Sequence, residues 1–157
     1  MTTVWRAIPI VLLAGCSRPA EPAFDQAARA AVVDSVQATL DEFRAAVASM
    51  DAERVASFYV ADSTLRWIED GEIRYRSRDE VIEALRSMEG EVGAISLSYD
   101  GTQITALAPG IASVVTGFAQ RITRRDGEEG GFAGATTMVL RSEGGRWRFV
   151  NGHVSSR

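Results

Sequence analysis

The stretch "SRDEVIEALRSMEGEVGAISLSYD" (77–100) decides the fold, because the periodicity of the chain changes inside it. Up to Gly90 the pattern is helical. Ser77 and Glu80 form a capping box, Val81, Ile82, Leu85 and Met88 share one side, and Gly90 stops the run. Beyond Gly90 the pattern is that of strands. Four long β-prone segments follow, at 94–106, 111–123, 132–142 and 146–155, separated by "APG", "RDGEEGG" and "SEGG", all rich in turn formers.

Upstream, Val32, Val36, Leu40, Phe43, Val47 and Met50 recur at spacings of three and four and make one apolar stripe. Asp51 caps a shorter helix through "AERVASFYV" (52–60), with Val55, Phe58 and Tyr59 inward. In "STLRWIEDGEIRY" (63–75), Asp70-Gly71 between two β-prone runs predicts a hairpin. Three helices leading into an antiparallel meander imply an α+β domain, its helices packed on one face of a strongly curved sheet.

The amino terminus reads as an address. Met1 to Arg6 carries one positive charge, an apolar run follows over 7–14, and Ala14 and Gly15 precede Cys16, which is the layout of a secretory signal. The run is far shorter than the roughly 20 residues a spanning helix needs. Leu13-Ala14-Gly15-Cys16 resembles the bacterial lipobox, which implies cleavage before Cys16 and acylation of its thiol. The expected organisation is a signal peptide at 1–15, a lipidated tether at 16–23 containing Pro19 and Pro22, and a domain at 24–157. Two or more acyl chains give stable anchoring, so the membrane is an expected partner through Cys16. The expected location is the bacterial cell envelope; Ser17 in place of the aspartate that retains some lipoproteins at the inner membrane favours the outer membrane, facing the periplasm.

Composition narrows the chemistry. The chain has 17 basic residues, all arginine, and 21 acidic ones. Removing 1–15 takes away only Arg6, leaving 16 against 21, a formal charge of about −5 that does not suit nucleic acid. Without lysine there is no Schiff-base chemistry and no Walker-type phosphate loop. With Cys16 committed to lipid there are no disulfides, thiolate metal sites or cysteine nucleophiles, and His153 is the single imidazole. No cofactor and no metal are expected.

The order helix, helix, "FYVADSTLRW", hairpin, helix, four strands and a closing "GGRWRFVNGHVSS" resembles the SnoaL-like branch of the nuclear transport factor 2-like superfamily, from about residue 24 to the end. The resemblance implies a cone-like sheet wrapped around the first helix, a pocket at one end, and a homodimer through the outer sheet face. The polar positions of the ketosteroid isomerase branch, carried over by spacing, fall on Phe43, Trp67 and Thr137, so its donors and acids are missing. The superfamily's dehydratases use more than one histidine. An epoxide hydrolase of this fold needs an arginine with two buried acids; Arg121 and Asp62 are conceivable members, but nothing in the spacing singles them out.

His153 is the residue to test. Alternation on the last strand puts Trp147, Phe149, Asn151, His153 and Ser155 on one face; with Trp147 and Phe149 in the core, Asn151 and His153 continue into the pocket mouth. A bulge at Gly152 would turn His153 the other way. The competing reading of His153 is a tie from the strand end to a neighbouring element. The expected ligand pocket is Tyr59, Trp67, Tyr75, Phe118, Thr137, Asn151 and His153, and the catalytic candidates are His153, Asp62 and Tyr59. For the aromatics the alternative is plain core filling. On the second long strand Val114, Thr116, Phe118, Gln120 and Ile122 face inward, while Ile111, Val115, Gly117 and Ala119 form a flatter outer face suited to a second copy. "RITRRDGEEGG" is a solvated loop with charges of both signs. Two functions follow: an envelope module binding a small apolar or amphiphilic ligand or a protein partner, or a cofactor-free hydrolase, isomerase or cyclase working by acid–base chemistry.

Overall fold

The computed structural model describes residues 24–157. The expected signal segment, the expected tether and Cys16 lie outside the described residues. Among the described residues no helix is long and apolar enough to cross a membrane.

Helix α1 (Gln26–Ser49) is capped by Asp25, whose carboxylate accepts from the Ala28 N–H at 2.9 Å, and ends where Met50 turns left-handed at φ 54°. Its buried stripe is Val32, Val36, Leu40, Phe43 and Ala46. Helix α2 (Ala52–Ala56) is shorter than the sequence predicts. Phe58, Tyr59 and Val60 are β-prone, and the last strand, Arg146–Ser156, captures their backbone instead: Phe149 donates to the Phe58 carbonyl at 2.7 Å and Val60 donates to the Phe149 carbonyl at 3.0 Å. Helix α3 (Arg78–Met88) starts as expected, with Ser77 Oγ accepting from the Glu80 N–H.

Strands β1 (Arg66–Glu69) and β2 (Glu72–Tyr75) form the expected hairpin. Asp70 and Gly71 sit at φ 49° and 90°, the paired positive angles of a type I′ turn, which explains the Asp-Gly sequence. The meander is β3 (Val92–Ala108), β4 (Ile111–Arg124), β5 (Glu129–Glu143) and β6 (Arg146–Ser156). The sheet is a single one of six strands in the order β2-β1-β6-β5-β4-β3. It is mixed rather than wholly antiparallel, because β1 joins β6 in parallel, with Trp67 opposite Gly152 and Glu69 opposite Val154.

Bulges bend the sheet around α1. One lies between Asp100 and Gln103 of β3, where Gly101 has φ 63°. Another is on β6: Phe149 pairs with Leu140 and Asn151 with Val139, so Val150 is an extra residue. Helix α1 packs chiefly on β3, and Trp147 Nε1 ties β6 to it by donating to Ser35 Oγ at 2.8 Å. The floor of the concave side is an aromatic cluster in which Phe43, Tyr59, Trp67 and Phe149 meet mostly edge to face at centroid separations of 5.0–6.2 Å. Phe149, Leu40, Leu65, Leu140 and Val114 are fully buried beside it.

Candidate functional site

A cavity of about 340 Å³ opens between the concave sheet, α1, α2 and α3. Its lining includes Phe43 and Val47 from α1, Tyr59 after α2, Trp67 and Glu69 of β1, and Arg74 and Tyr75 of β2. Val81, Leu85 and Met88 of α3 close one side; Leu97, Tyr99, Phe118, Gln120, Phe132, Thr136, Met138 and Val154 supply the sheet wall. Such a volume lies at the lower end of the roughly 300–1,000 Å³ typical of ligand pockets.

The alternation of strands explains these positions. Leu97 and Tyr99 on β3 share a face, as do Phe118 and Gln120 on β4, and Thr136 and Met138 on β5. Trp67 and Glu69 do the same on β1, so the carboxylate that enters the cavity sits two residues beyond its large aromatic. Tyr59 is held by its own backbone: its carbonyl accepts from Arg78 Nε at 2.6 Å, and its neighbours pair with Phe149.

The polar groups of the cavity fall into two sets. Near the mouth, Glu69 Oε1 accepts from Trp67 Nε1 at 3.1 Å, and Glu69 Oε2 lies 3.7 Å from Arg74 Nε. This pair is largely exposed and contributes at most about 1 kcal/mol to stability. Deeper in, burial holds the Tyr59 phenol well above its ordinary range, helped by repulsion from Tyr75, Tyr99 and Glu69. Burial raises Tyr75 and Tyr99 as well. All three phenols are therefore neutral hydroxyls at physiological pH. Thr136 is 6% exposed, and its Oγ1 is buried with no hydrogen-bond partner among the described residues.

Four expected site residues line this cavity: Tyr59, Trp67, Tyr75 and Phe118. Thr137, Asn151 and His153 do not. The Val150 bulge inverts the alternation of β6 beyond Phe149, so Gly152 and Val154 face inward while Asn151 and His153 are exposed on the outer face. Gly152 faces in because Trp67 occupies the space where a side chain would be; a Cβ there would meet Trp67 Cζ3 at 2.2 Å. Thr137 is directly opposite His153 and exposed with it, while its neighbour Thr136 is the cavity residue. Asp62 is also outside. It is exposed in the connection between α2 and β1, where Thr64 and Arg141 of β5 bond its carboxylate and lower its pKa to about 2, the Thr64 hydroxyl being the largest cause. Arg121 is exposed on β4, remote from Asp62.

Glu69, Arg74, Tyr99 and Thr136 are polar cavity residues that sequence reasoning missed, and the apolar Leu97, Phe132, Met138 and Val154 were missed with them. The signal for Glu69 was its spacing of two from Trp67, and for Tyr99 its place in the alternating series Ile95, Leu97, Tyr99. Among the described residues no group of three or more His, Cys, Asp or Glu side chains is arranged to hold a metal ion.

The model of the SnoaL-like domain matches residues 36–157, which includes every strand and every residue of the cavity wall. The chain belongs to the SnoaL-like domain family. The match begins within α1 and runs to the last residue of the sequence. Solved structures of the same fold include a candidate scytalone dehydratase from Novosphingobium aromaticivorans, 12% identical with a TM-score of 0.74, over 82% of this chain and 85% of that one. A nuclear transport factor 2-like superfamily protein from Salmonella enterica serovar Typhimurium is 16% identical with a TM-score of 0.68, over 79% and 89%. A hexachlorocyclohexane dehydrochlorinase is 11% identical with a TM-score of 0.68, over 82% and 87%. These likenesses establish the nuclear transport factor 2-like α+β fold. No curated protein sequence matches the chain.

Proposed function

We propose that this SnoaL-like domain binds a small apolar or amphiphilic molecule without transforming it, and that Cys16 tethers it by lipid to the bacterial envelope. The observation that carries the binding reading is the cavity of about 340 Å³, walled by aromatic and aliphatic side chains that leave it open. Trp67 and Phe118 line that space without filling it, and Trp147 packs against α1 instead.

The acid–base alternative built on His153, Asp62 and Tyr59 retains only Tyr59 at the cavity. A general base must come within hydrogen-bond reach of the proton it takes, and His153 and Asp62 are on the wrong side of the sheet and on the domain surface. The hexachlorocyclohexane dehydrochlorinase is named for a small apolar ring compound, the class of molecule proposed here.

The tether rests on the sequence alone: a charged start, an apolar run, Leu13-Ala14-Gly15-Cys16 and a proline-containing spacer. The outer sheet face, where Val115 and Leu107 are 47% and 54% exposed among small residues, is the proposed contact for a second copy.

Mass spectrometry of small molecules released from the purified full chain tests the binding reading. Recovery of a bound apolar compound supports it, and repeated recovery of nothing, from a protein that also binds no added apolar probe, overturns it. For the tether, Cys16→Ser abolishes lipid labelling and membrane attachment; unchanged attachment refutes that part.

A further inference from the structure

Three parts of the chain meet at one end of the sheet. Ser142 donates to the Gly110 carbonyl at 2.9 Å, which sets the β3–β4 turn (108–111) beside the β5–β6 turn (143–146). Arg29, in the first turn of α1, donates from its guanidinium to the Ala106 carbonyl at 2.8 Å, so the start of α1 lies there too. The same guanidinium stands 4.2 Å from the ring centroid of Phe24, which packs on the core. The chain therefore enters the domain at this end. Phe24 is eight residues beyond Cys16, and eight residues reach at most about 29 Å. A lipid on Cys16 thus holds this end near the bilayer.

The surface found here suits a lipid interface. The stretch "ALAPGIA" (106–112) carries no charged side chain, and Leu107 and Pro109 are exposed on it, Leu107 at 54%. Leu107 stands in water because it is the extra residue of a bulge: Ala106 pairs with Ala112 and Ala108 with Ile111. Arg29 and, on the neighbouring turn, Arg146 are exposed beside it. An apolar tip with arginines at its side matches a headgroup boundary, where the cations meet phosphate and the apolar side chains enter the acyl edge.

The far end is the reverse. The β4–β5 turn holds Asp126, Glu128 and Glu129 with Arg124 and Arg125, and Arg125 bonds the carbonyls of Glu89 and Glu91, which adds two more acids. An anionic lipid surface repels that end. Strand β4, 14 residues long, separates the two ends by up to about 40 Å. The cavity mouth lies toward the far end: Asp70, next to Glu69, donates to the Val154 carbonyl and accepts from the Ser156 N–H at 2.7 Å, where β6 finishes.

We propose that the β3–β4 turn is a lipid-contacting tip: Leu107 and Pro109 rest in the headgroup boundary of the membrane that holds Cys16, Arg29 and Arg146 meet lipid phosphates, and the cavity mouth faces away from the bilayer. This rests on the lipid-anchor reading above and adds an orientation to it. The acyl chains supply the affinity, so the tip has only to bias how the domain stands. Leu107 has about half of its surface left to bury, a bias of about three- to tenfold. Val115 is four residues up β4 from Ile111, about 13 Å at the rise of a strand, which leaves the outer face free for a second copy.

The test uses the full chain, made in a bacterium, purified from its membranes and reconstituted in vesicles of phosphatidylcholine and phosphatidylglycerol. With the Cys16 thiol acylated, Pro109→Cys and Asp126→Cys each offer one thiol for a fluorescent label. Flotation with the vesicles reads the anchor, and quenching of the label by a nitroxide on the lipid chain reads the tip. Both variants float, position 109 is quenched and position 126 is not. Adding Leu107→Ser lowers the ratio of quenched to free label at position 109 by about three- to tenfold, with flotation and circular dichroism unchanged. Equal quenching at the two positions, or more at 126, overturns the orientation while the anchor stands. Quenching at 109 that Leu107→Ser leaves untouched overturns the tip. Failure to float overturns the anchor reading, and the tip with it.

Discussion

Gly152→Ala is the perturbation that most sharply separates the two ways of facing the last strand. A Cβ at 152 would lie 2.2, 2.3 and 2.7 Å from Trp67 Cζ3, Cε3 and Cη2, whereas ordinary contact begins near 3.4 Å. The indole must therefore retreat by about 1.2 Å, the difference between 2.2 and 3.4 Å. It cannot retreat toward the floor, because the Tyr59 and Phe149 rings stand at centroid separations of 5.3 and 5.7 Å on that side. It moves into the cavity. Overpacking of this kind costs about 1–3 kcal/mol, which for a domain of this size lowers Tm by roughly 3–12 °C. Thermal unfolding followed by circular dichroism gives the first number, and titration of an apolar probe gives a weakened affinity as the second. Because Trp67 is the group displaced, the cost is strongly coupled to it: in a Trp67→Leu background Gly152→Ala becomes nearly neutral, a non-additivity that only residues in contact show. An unchanged Tm and unchanged probe affinity for Gly152→Ala would refute the inward placement of Gly152, and with it the outward placement of His153.

Two further outcomes follow from the same geometry. His153→Ala, on the exposed outer face, changes stability by no more than about 0.5 kcal/mol and leaves apolar-probe binding as it was, measured by denaturant unfolding and calorimetry. Asp62, bonded by Thr64 and Arg141, titrates in the folded chain at about 2 rather than at its ordinary value of 3.8, as carbon-detected NMR of the carboxyl would show. Since the folded value is the lower, its contribution to stability is present above the unfolded value and is lost as pH falls through about 2; Arg141→Ala raises the midpoint only part of the way, because the Thr64 hydroxyl is the larger cause.

Much of the fold could be read from local chemistry, since the signals were local. Asp25 and Ser77 cap their helices, the stripe from Val32 to Ala46 is buried at helical spacing, and Asp70-Gly71 makes the hairpin turn. The parallel union of β1 with β6 was not legible, because it joins residues more than eighty positions apart and depends on how far the meander bends. The site divided along the same line. Phe118 and Trp67 were found through size and alternation, which survive as long as a strand runs without interruption. Asn151 and His153 were misplaced because a single extra residue, Val150, inverts every side chain beyond it. Gly152 did signal an irregularity, but its role is to make room for Trp67, with the bulge itself two residues earlier. Thr137 failed for a related reason: position 137 was reached by counting from a relative's pattern, and a slip of one residue exchanges it for Thr136, on the opposite face. Tyr59 lines the cavity although its backbone belongs to a bridge with Phe149 and not to a helix.

The concave side of the sheet as the ligand-binding side is the claim on which the rest depends, and amide chemical-shift mapping of the full chain during titration with acetylnaphthalene tests it most directly. Shifts concentrated at Tyr59, Trp67, Tyr99, Phe118 and Thr136, with Thr137, Asn151 and His153 quiet, are the predicted result. A saturable pattern centred on Thr137, Asn151 and His153, with the cavity residues unmoved, would contradict it.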